Sequence, residues 1–295
     1  MPSVTQASQS LIRPILDSVE CELTEICDLE CSHCCTLSGP RMTHGTMDLA
    51  DWQEVIDHIA DLGIPMVQFI GGEPTRSPHL PALIEYSLGR DLGVEVYSNL
   101  THIRPSLWGL FAREGVRLAT SYYSDEPAEH DSITNGKGSH ARTRTAITEA
   151  LRRGIPLRVG IVKVLPGQRV CEAAAELRAL GVTDIRTDHV RKVGRAADPG
   201  VVQPDVTELC GRCFHQRAAI SPSGDVYGCI LSRHLLAGNV KAKGLTAVLT
   251  SDRWAEITAT VPAPRAACTP DDSNDCDPAS TPACLPSFPD DEEEE

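Results

Sequence analysis

Short β-rich runs alternate with helical patterns over residues 18–200. Residues 49–62 carry apolar side chains at helical spacing, including Trp52, Val55 and Ile59, and residues 171–180 form a second such pattern that ends at Gly181. Repeated strand–helix units indicate a parallel sheet whose strands are joined by right-handed crossover connections. Six units are too few for a closed eight-stranded barrel, so the pattern predicts an α/β fold, a partial (β/α)6 TIM-like barrel. The six β-rich runs lie at 18–23, 66–70, 94–98, 116–120, 157–162 and 184–188.

The pattern changes after about residue 200. Two β-rich runs, 218–221 and 225–230, flank Pro222-Ser223-Gly224 and predict a hairpin. Beyond Val261 the chain is rich in Pro, Asp, Ser and Cys, a composition that needs a metal to order it. We therefore expect an N-terminal extension at 1–17, the barrel at 18–200, a small cysteine-rich β-hairpin domain at 201–286 and a disordered acidic tail at 287–295.

The charge and hydropathy of the chain exclude several classes of function. Its formal net charge is −14, and six of those charges lie in the last six residues, Asp290 to Glu295. Such a run is typical of a solvated tail, with a tail that docks on a partner as the alternative. An acidic chain is a poor candidate for nucleic-acid binding. No stretch approaches about eighteen apolar residues and no signal peptide is visible, so we expect a cytoplasmic protein outside the membrane.

Twelve cysteines are the unusual part of the composition, because cytosolic proteins keep thiols reduced and use cysteine clusters for metals. Cys27, Cys31 and Cys34 follow the first predicted strand with Cys-x3-Cys-x2-Cys spacing. Structural zinc sites and completely ligated iron–sulfur clusters usually take four protein ligands. Three thiolates on a four-iron cluster leave one iron open to a substrate or cofactor. Scattered buried thiols and half a zinc site are the alternatives.

Gly71-Gly72-Glu73-Pro74 comes directly after the second predicted strand. Paired glycines at this position let a ligand approach the backbone, and Glu73 is suited to hold a cation. A simple turn would also explain the two glycines. Because the carboxyl ends of neighbouring parallel strands lie together, we expect this segment to form a second wall of the pocket that holds the cysteine triad.

These two motifs together resemble the radical S-adenosylmethionine (SAM) superfamily. The segment from Glu25 to Cys34 (EICDLECSHC) is similar to the family's cluster-binding loop, and Gly71 to Pro74 is similar to the motif that contacts the SAM amino group. The resemblance covers roughly residues 18–200 and continues through Ser98-Asn99, Asp125, His130-Asp131, the 138–142 segment and the 191–195 segment. It departs from the family at 121–125 and at 135–137.

The resemblance implies a defined chemistry. A [4Fe–4S] cluster on the triad would cleave SAM reductively to a 5′-deoxyadenosyl radical, which abstracts hydrogen from a substrate C–H bond. A low-potential electron donor of flavodoxin or ferredoxin type would supply the electron. Besides the motif after the second strand, Ser98 and Asn99 are implied to contact SAM, and Ser121 and Arg142 are candidates for holding its polar groups.

The C-terminal cysteines resemble a SPASM/twitch extension, which carries auxiliary iron–sulfur clusters. The spacing around Gly224 fits that extension, whereas the later cysteines are more widely spaced than its tight run. Six thiolates are too few for two fully ligated clusters. One cluster with spare thiols, two clusters with an open or non-cysteine position, recruitment of Cys171, His215 or His234, and a zinc ribbon remain as alternatives. The six candidate ligands are Cys210, Cys213, Cys229, Cys268, Cys276 and Cys284.

The three remaining cysteines are predicted to be ordinary thiols. Cys21 lies on the first strand and Cys171 opens a predicted helix, so both are expected in the core. Cys35 follows the triad directly and is expected to be an ordinary thiol that lines the pocket, with donation of a hydrogen atom to a substrate radical as the alternative role.

Three functions compete. The leading hypothesis, by family analogy, is maturation of a ribosomally made peptide by cross-linking, epimerisation or rearrangement. Since residues 1–17 hold no leader-binding module, leader recognition would need a separate protein or another surface. The second hypothesis is a dehydrogenase, decarboxylase or mutase for a small molecule such as a sugar, nucleoside or amino acid, with Arg152, Arg153 and Arg158 as candidate contacts for an anion. The third is a non-catalytic iron–sulfur or zinc scaffold.

Overall fold

The six predicted strands form in the predicted order. The computed structural model describes residues 16–200, 206–209 and 211–263. The strands of the first part are β1 (Ser18–Glu22), β2 (Met66–Ile70), β3 (Gly93–Tyr97), β4 (Val116–Ser121), β5 (Leu157–Lys163) and β6 (Asp184–His189). They are parallel neighbours in chain order, with Val19 opposite Val67 and Leu118 opposite Leu157. The prediction of a partial parallel barrel is confirmed.

Helices cover the outer face of this sheet. The first, α1, begins where Asp48 and Asp51 form a reciprocal capping box and ends at Asp61; its apolar stripe, including Trp52 and Ile56, is buried. The outward-facing strand residues, such as Val67 and Phe69, are fully buried under these helices. The helices of the barrel are α1 (Leu49–Asp61), α2 (Leu80–Gly89), α3 (Pro105–Phe111), α4 (Pro127–Thr134), α5 (Ser139–Arg152) and α6 (Val170–Leu180).

The predicted hairpin extends the barrel sheet. Strands β7 (Arg217–Ile220) and β8 (Asp225–Tyr227) are antiparallel and turn at Gly224 (φ +86°), which confirms the hairpin. β7 also pairs in parallel with β1, and a short β9 (Gly238–Asn239) pairs with β8. The C-terminal part is therefore joined to the barrel by main-chain hydrogen bonds. After β9, the described residues form α7 (Val240–Lys243), α8 (Leu245–Leu249) and α9 (Asp252–Thr260).

The concave face of the sheet is polar. Glu20 and Glu22 on β1 and Glu95 on β3 are almost completely buried there. Each pairs with an arginine, because a buried carboxylate without a partner would be costly. Arg158 on β5 donates to Glu95 at 2.7 Å, and Arg233 pairs with Glu22. The apolar core thus lies outside the barrel wall, and the interior is free for polar ligands.

Among residues 16–200, 206–209 and 211–263, none of the helices has both the length and the apolar character needed to cross a bilayer.

Candidate active site

A cavity of about 280 Å³ lies at the carboxyl ends of the barrel strands. Its wall includes Cys27, Cys31 and Cys34 from the loop after β1, and Gly71 and Gly72 from the loop after β2. The two motifs that the sequence places on neighbouring strands therefore share one pocket. Asn99 after β3 and Ser121 at the end of β4 line the same cavity.

Main-chain hydrogen bonds join the two loops. The Gly72 N–H donates to the Thr24 carbonyl at 2.7 Å, and the Glu73 N–H donates to the Ile26 carbonyl at 2.8 Å. Gly71 has φ +140°, and a Cβ atom there would lie 2.5 Å from the Thr24 oxygen. Both glycines are required by this close approach, which fixes the position of Cys27 next to the second loop.

Substitution of Gly72 tests this junction. A Cβ atom at Gly72 would lie 2.4 Å from the Ile26 carbonyl oxygen and 2.7 Å from its carbon, so the backbone before Cys27 must move. We expect Gly72→Ala to lower the free energy of unfolding by about 1–3 kcal/mol. We also expect it to lower the iron bound after reconstitution, as measured by iron analysis.

Gly109→Ala is the matched control. Gly109 lies within α3, and a Cβ atom there would meet nothing within 4 Å. Alanine in a helix is more favourable than glycine by about 0.5–1 kcal/mol, so this variant should keep its iron and be slightly more stable. Equal iron content and stability in the two variants would show that the junction is not needed.

Arg195 holds the triad loop from the opposite side. Its guanidinium donates to the Cys31 carbonyl at 3.0 Å and to the carbonyls of Leu37 and Ser38, and its N–H donates to the Cys34 carbonyl at 3.0 Å. The preceding Gly194 (φ +60°) packs so closely that a Cβ atom would lie 2.2 Å from the Cys34 oxygen. The segment after β6 therefore positions two of the three cysteines.

Burial disfavours the thiolate form of two of the triad cysteines, Cys27 and Cys31. Burial raises the pKa of the Cys27 thiol to about 12, with a further contribution from Glu73, and burial likewise raises the pKa of the Cys31 thiol to about 12. A bound metal reverses this preference, because a thiol that coordinates a metal is deprotonated. Binding of a metal centre here is therefore coupled to proton release.

The donor set fits an iron–sulfur cluster. Thiolates are the ligands that such clusters use, and all three thiols line one cavity. Within the described part of the chain, no group of three or more His, Cys, Asp or Glu side chains is placed to hold a single metal ion. The cavity also has room beside the thiols for a second ligand, as an open coordination position requires.

The Glu73 carboxylate is occupied by hydrogen bonds to neighbouring loops of the protein. Its carboxylate is 1 % exposed and accepts hydrogen bonds from Thr75, from the Ser98 hydroxyl at 2.8 Å and from the Asn99 N–H at 2.8 Å. It thus ties the loop after β2 to the loop after β3. Neither Glu73 nor Ser98 lines the cavity, whereas the Asn99 side chain does and donates to the Cys27 sulfur at 3.6 Å.

Of the other residues predicted to contact SAM, only some line the cavity. Ser121 lines the cavity and its hydroxyl lies 3.1 Å from that of Tyr97. Pro74 is buried in the 3-10 turn after the glycines, and Arg142 donates to the Lys137 carbonyl; neither lines the cavity. SAM contacts by all eight residues stay predictions, both for the four that line the cavity, Gly71, Gly72, Asn99 and Ser121, and for the four that do not, Glu73, Pro74, Ser98 and Arg142.

Sequence reasoning missed a pair of aromatic side chains in the wall. His33, between the last two triad cysteines, lies with Nε2 3.1 Å from the Tyr123 hydroxyl, and both residues line the cavity. Burial lowers the pKa of His33 to about 4, so the ring is neutral near pH 7. Tyr123 follows the end of β4, and its position after a strand's carboxyl end is the signal that would have identified it.

The remaining cysteines are only partly described. Cys213 and Cys229, at the base and the far side of the hairpin, are paired through their sulfur atoms with Cα atoms 5.1 Å apart. Cys21 is fully buried and Cys35 lines the cavity, as expected. The expectation for Cys171 is wrong, because this residue is exposed on α6 and not in the core. Cys210, Cys268, Cys276, Cys284 and the acidic tail lie outside the described residues.

Comparison with known protein families agrees with the two-part layout. A family model described as the Radical SAM superfamily matches residues 21–181, which is more than half of the chain, and one described as an iron–sulfur cluster-binding domain, SPASM, matches residues 208–277. The first match contains the triad and the paired glycines. The second contains the hairpin and its two paired cysteines.

Relatives and solved structures show the same similarity. The chain is 26 % identical over 265 residues to the mycofactocin maturase MftC of Mycobacterium ulcerans, covering 76 % of this chain and 71 % of that protein. It is 32 % identical over 150 residues to the PqqA peptide cyclase of Xanthomonas axonopodis pv. citri, covering 49 % of this chain and 39 % of the cyclase. Streptococcus suis SuiB bound to the precursor peptide SuiA shares the fold, with TM-score 0.73 and 15 % identity over 87 % of this chain and 70 % of SuiB.

Proposed function

The chain belongs to the radical SAM superfamily, and from this premise we propose that it modifies a ribosomally made peptide, with a [4Fe–4S] cluster and SAM bound in the cavity at Cys27. The observation that carries the proposal is the cavity itself, where three thiols and two closely packed glycines meet. The peptide part is supported by the names of the relatives, a maturase and a peptide cyclase.

The ligands of the proposed centre are Cys27, Cys31 and Cys34. A cluster with one iron free of protein ligands, together with SAM, supplies one-electron chemistry that ends in abstraction of a hydrogen atom from a substrate C–H bond. The chain's own part is to hold these groups in place. Arg195 and the 71–72 backbone fix the loop, and the open wall at Asn99 and Ser121 leaves polar atoms for SAM.

Part of the cavity lining is suited to exclude water from the substrate. It includes the apolar side chains of Ile70, Val162, Ile230 and Leu231, and the His33–Tyr123 pair lines the same cavity. Apolar walls protect a reactive species from side reactions.

The C-terminal part is proposed to carry one or two auxiliary iron–sulfur clusters. Cys213 and Cys229 are buried side by side, and two thiols at this distance suit either a disulfide or adjacent ligands of one metal centre. We place the protein in the cytoplasm, where thiols are kept reduced, and this favours the metal centre. Cys210, Cys268, Cys276 and Cys284 are the remaining proposed ligands, in a module of residues 201–286 beside a barrel of 18–200.

Two partners follow from the proposal. A low-potential electron donor of flavodoxin or ferredoxin type is needed to reduce the cluster at the triad. Recognition of a peptide leader is assigned to a separate protein or to another surface of this chain.

Product analysis of the reconstituted enzyme tests the proposal. Short peptides encoded beside the gene are incubated anaerobically with enzyme, SAM and a reductant, and their masses are measured; a panel of sugars, nucleosides and amino acids is the second arm. We expect a SAM-dependent mass change in a peptide. If SAM is cleaved while every peptide stays unchanged, the peptide substrate is wrong. If a small molecule is modified instead, the small-molecule function takes its place.

A further inference from the structure

A second cavity of about 290 Å³ lies deeper inside the barrel. It adjoins the cavity at the triad, since Ile70, Tyr97, Val162, Ile230 and Leu231 line both. Its floor is formed by residues near the starts of the strands, such as Ser18 and Met66. A ligand group in this cavity would therefore be one layer of side chains away from the site of SAM.

Arginines dominate the wall of the deeper cavity. Among the described residues, six arginines line it, whereas the carboxylates are those of Glu20, Glu95 and Asp188, so this part of the wall has an excess of three positive charges. The whole chain, by contrast, carries a net charge of −14. A positive lining in a concave, partly desolvated site concentrates anions there. The arginines are Arg117, Arg158, Arg186, Arg191, Arg212 and Arg217.

The carboxylates of the wall do not match all of these charges. Arg117 and Arg158 share one carboxylate, that of Glu95, with distances of 2.7 Å each. Arg217 is 3.8 Å from Glu20, a loose ion pair. These three arginines are thus paired with only two carboxylates of the wall, those of Glu95 and Glu20.

Arg186 and Arg212 are the best placed to meet a ligand. Arg186 pairs with Asp184, whose side chain is 42 % exposed, so the pair is weakened by solvent. For the Arg212 guanidinium, the described part of the chain provides no ion pair or hydrogen bond. Both side chains line the deeper cavity and both are half-buried, so a carboxylate there would meet two donor-rich groups.

We propose that the deeper cavity binds a carboxylate of the substrate peptide, either an acidic side chain or the C-terminal carboxylate. This inference rests on the proposed function and specifies its substrate: a peptide whose reacting C–H bond lies close to a carboxylate. Guanidinium groups bind carboxylates through paired hydrogen bonds, so the cavity fixes both the position and the orientation of the residue that reacts.

Binding of small carboxylates to the reconstituted holoenzyme tests the proposal without SAM cleavage. The probes are N-acetyl-glutamate α-methylamide, its glutamine counterpart as a neutral match, and N-acetyl-Ala-Ala with a free C-terminal carboxylate. Titration calorimetry at low salt should show that a carboxylate probe binds at least about tenfold tighter than the amide, and that added salt weakens this binding. The carboxylate probe that binds more tightly shows whether the cavity takes an acidic side chain or a C-terminal carboxylate.

Variants locate the binding. Arg186→Gln combined with Arg212→Gln should weaken carboxylate binding about tenfold or more, whereas Arg178→Gln, an exposed arginine on α6, should not change it. Iron content confirms that each variant is folded and loaded. Equal binding of the acid and the amide, or equal loss in the double variant and the Arg178 variant, would overturn the proposal. Carboxylate binding without peptide modification would instead contradict the proposed function alone.

Discussion

Replacement of Cys27, Cys31 and Cys34 together by alanine is expected to remove about four irons per chain and to abolish SAM cleavage. The three thiols line one cavity, and the loop that carries them is fixed by the 71–72 backbone and by Arg195. Anaerobic reconstitution followed by iron and sulfide analysis measures the first effect. Detection of 5′-deoxyadenosine measures the second.

The iron that stays in the triple variant counts the auxiliary clusters. About four irons would indicate one cluster in the C-terminal module, and about eight would indicate two. Cys35→Ala is the matched control, because Cys35 lines the same cavity next to Cys34 but is not proposed as a ligand. It should keep its full iron content. A triple variant with as much iron as the wild type would contradict the assignment of the cluster to the triad.

Loss of the Glu95 side chain is expected to cost about 3–5 kcal/mol in the free energy of unfolding, because the largely buried Arg158 would be left in the barrel without a counter-charge. Glu95 is 1 % exposed and lies 2.7 Å from a nitrogen of each arginine. Urea unfolding of Glu95→Ala at pH 7 measures the effect.

Glu85→Ala provides the matched control. Glu85 pairs with Arg113 at 2.7 Å, but both side chains are about half exposed. Exposed pairs of this kind contribute about 0–1 kcal/mol. Similar urea-unfolding midpoints for the two variants would show that burial does not increase the contribution of the Glu95 ion pair to stability.

The Glu95 contribution should also depend on pH. Although burial alone raises the pKa of this carboxyl group, Arg158 and then Arg117 lower it from its ordinary 4.5 to about 2. The stabilisation is therefore fully present above about pH 4.5 and declines as the pH falls toward 2. The difference in the free energy of unfolding between wild type and Glu95→Ala should therefore become smaller as the pH falls over that range.

Local patterns predicted the parts of the fold that depend on neighbouring residues. The strand runs and the Leu49–Asp61 helix follow from hydrophobic periodicity, and they formed where expected. The shared pocket followed from the rule that loops after parallel strands meet at one edge. The error at Cys171 was avoidable, because Val170, Ala173, Ala174 and Leu177 form the buried stripe of α6 and place residue 171 outside it.

Contacts between distant segments were beyond sequence reasoning. Parallel pairing of β7 with β1 joins residues almost 200 positions apart, and Arg195 reaches the Cys31 carbonyl across 164 positions. No local propensity encodes such partners. The same holds for Glu73, whose carboxylate is fully occupied by Thr75, Ser98 and Asn99, although its type and position also suit a cation ligand.

Transfer of deuterium from a peptide to 5′-deoxyadenosine tests the central claim most directly. A candidate peptide with deuterium at its side-chain and α carbons is incubated anaerobically with reconstituted enzyme, SAM and a reductant, and the 5′-deoxyadenosine is analysed by mass spectrometry. We predict that the wild type forms 5′-deoxyadenosine that contains deuterium. The Cys27/Cys31/Cys34→Ala variant should form no 5′-deoxyadenosine. Cleavage of SAM that gives 5′-deoxyadenosine without deuterium and leaves every such peptide unmodified, or cleavage that persists in the variant, would contradict the account.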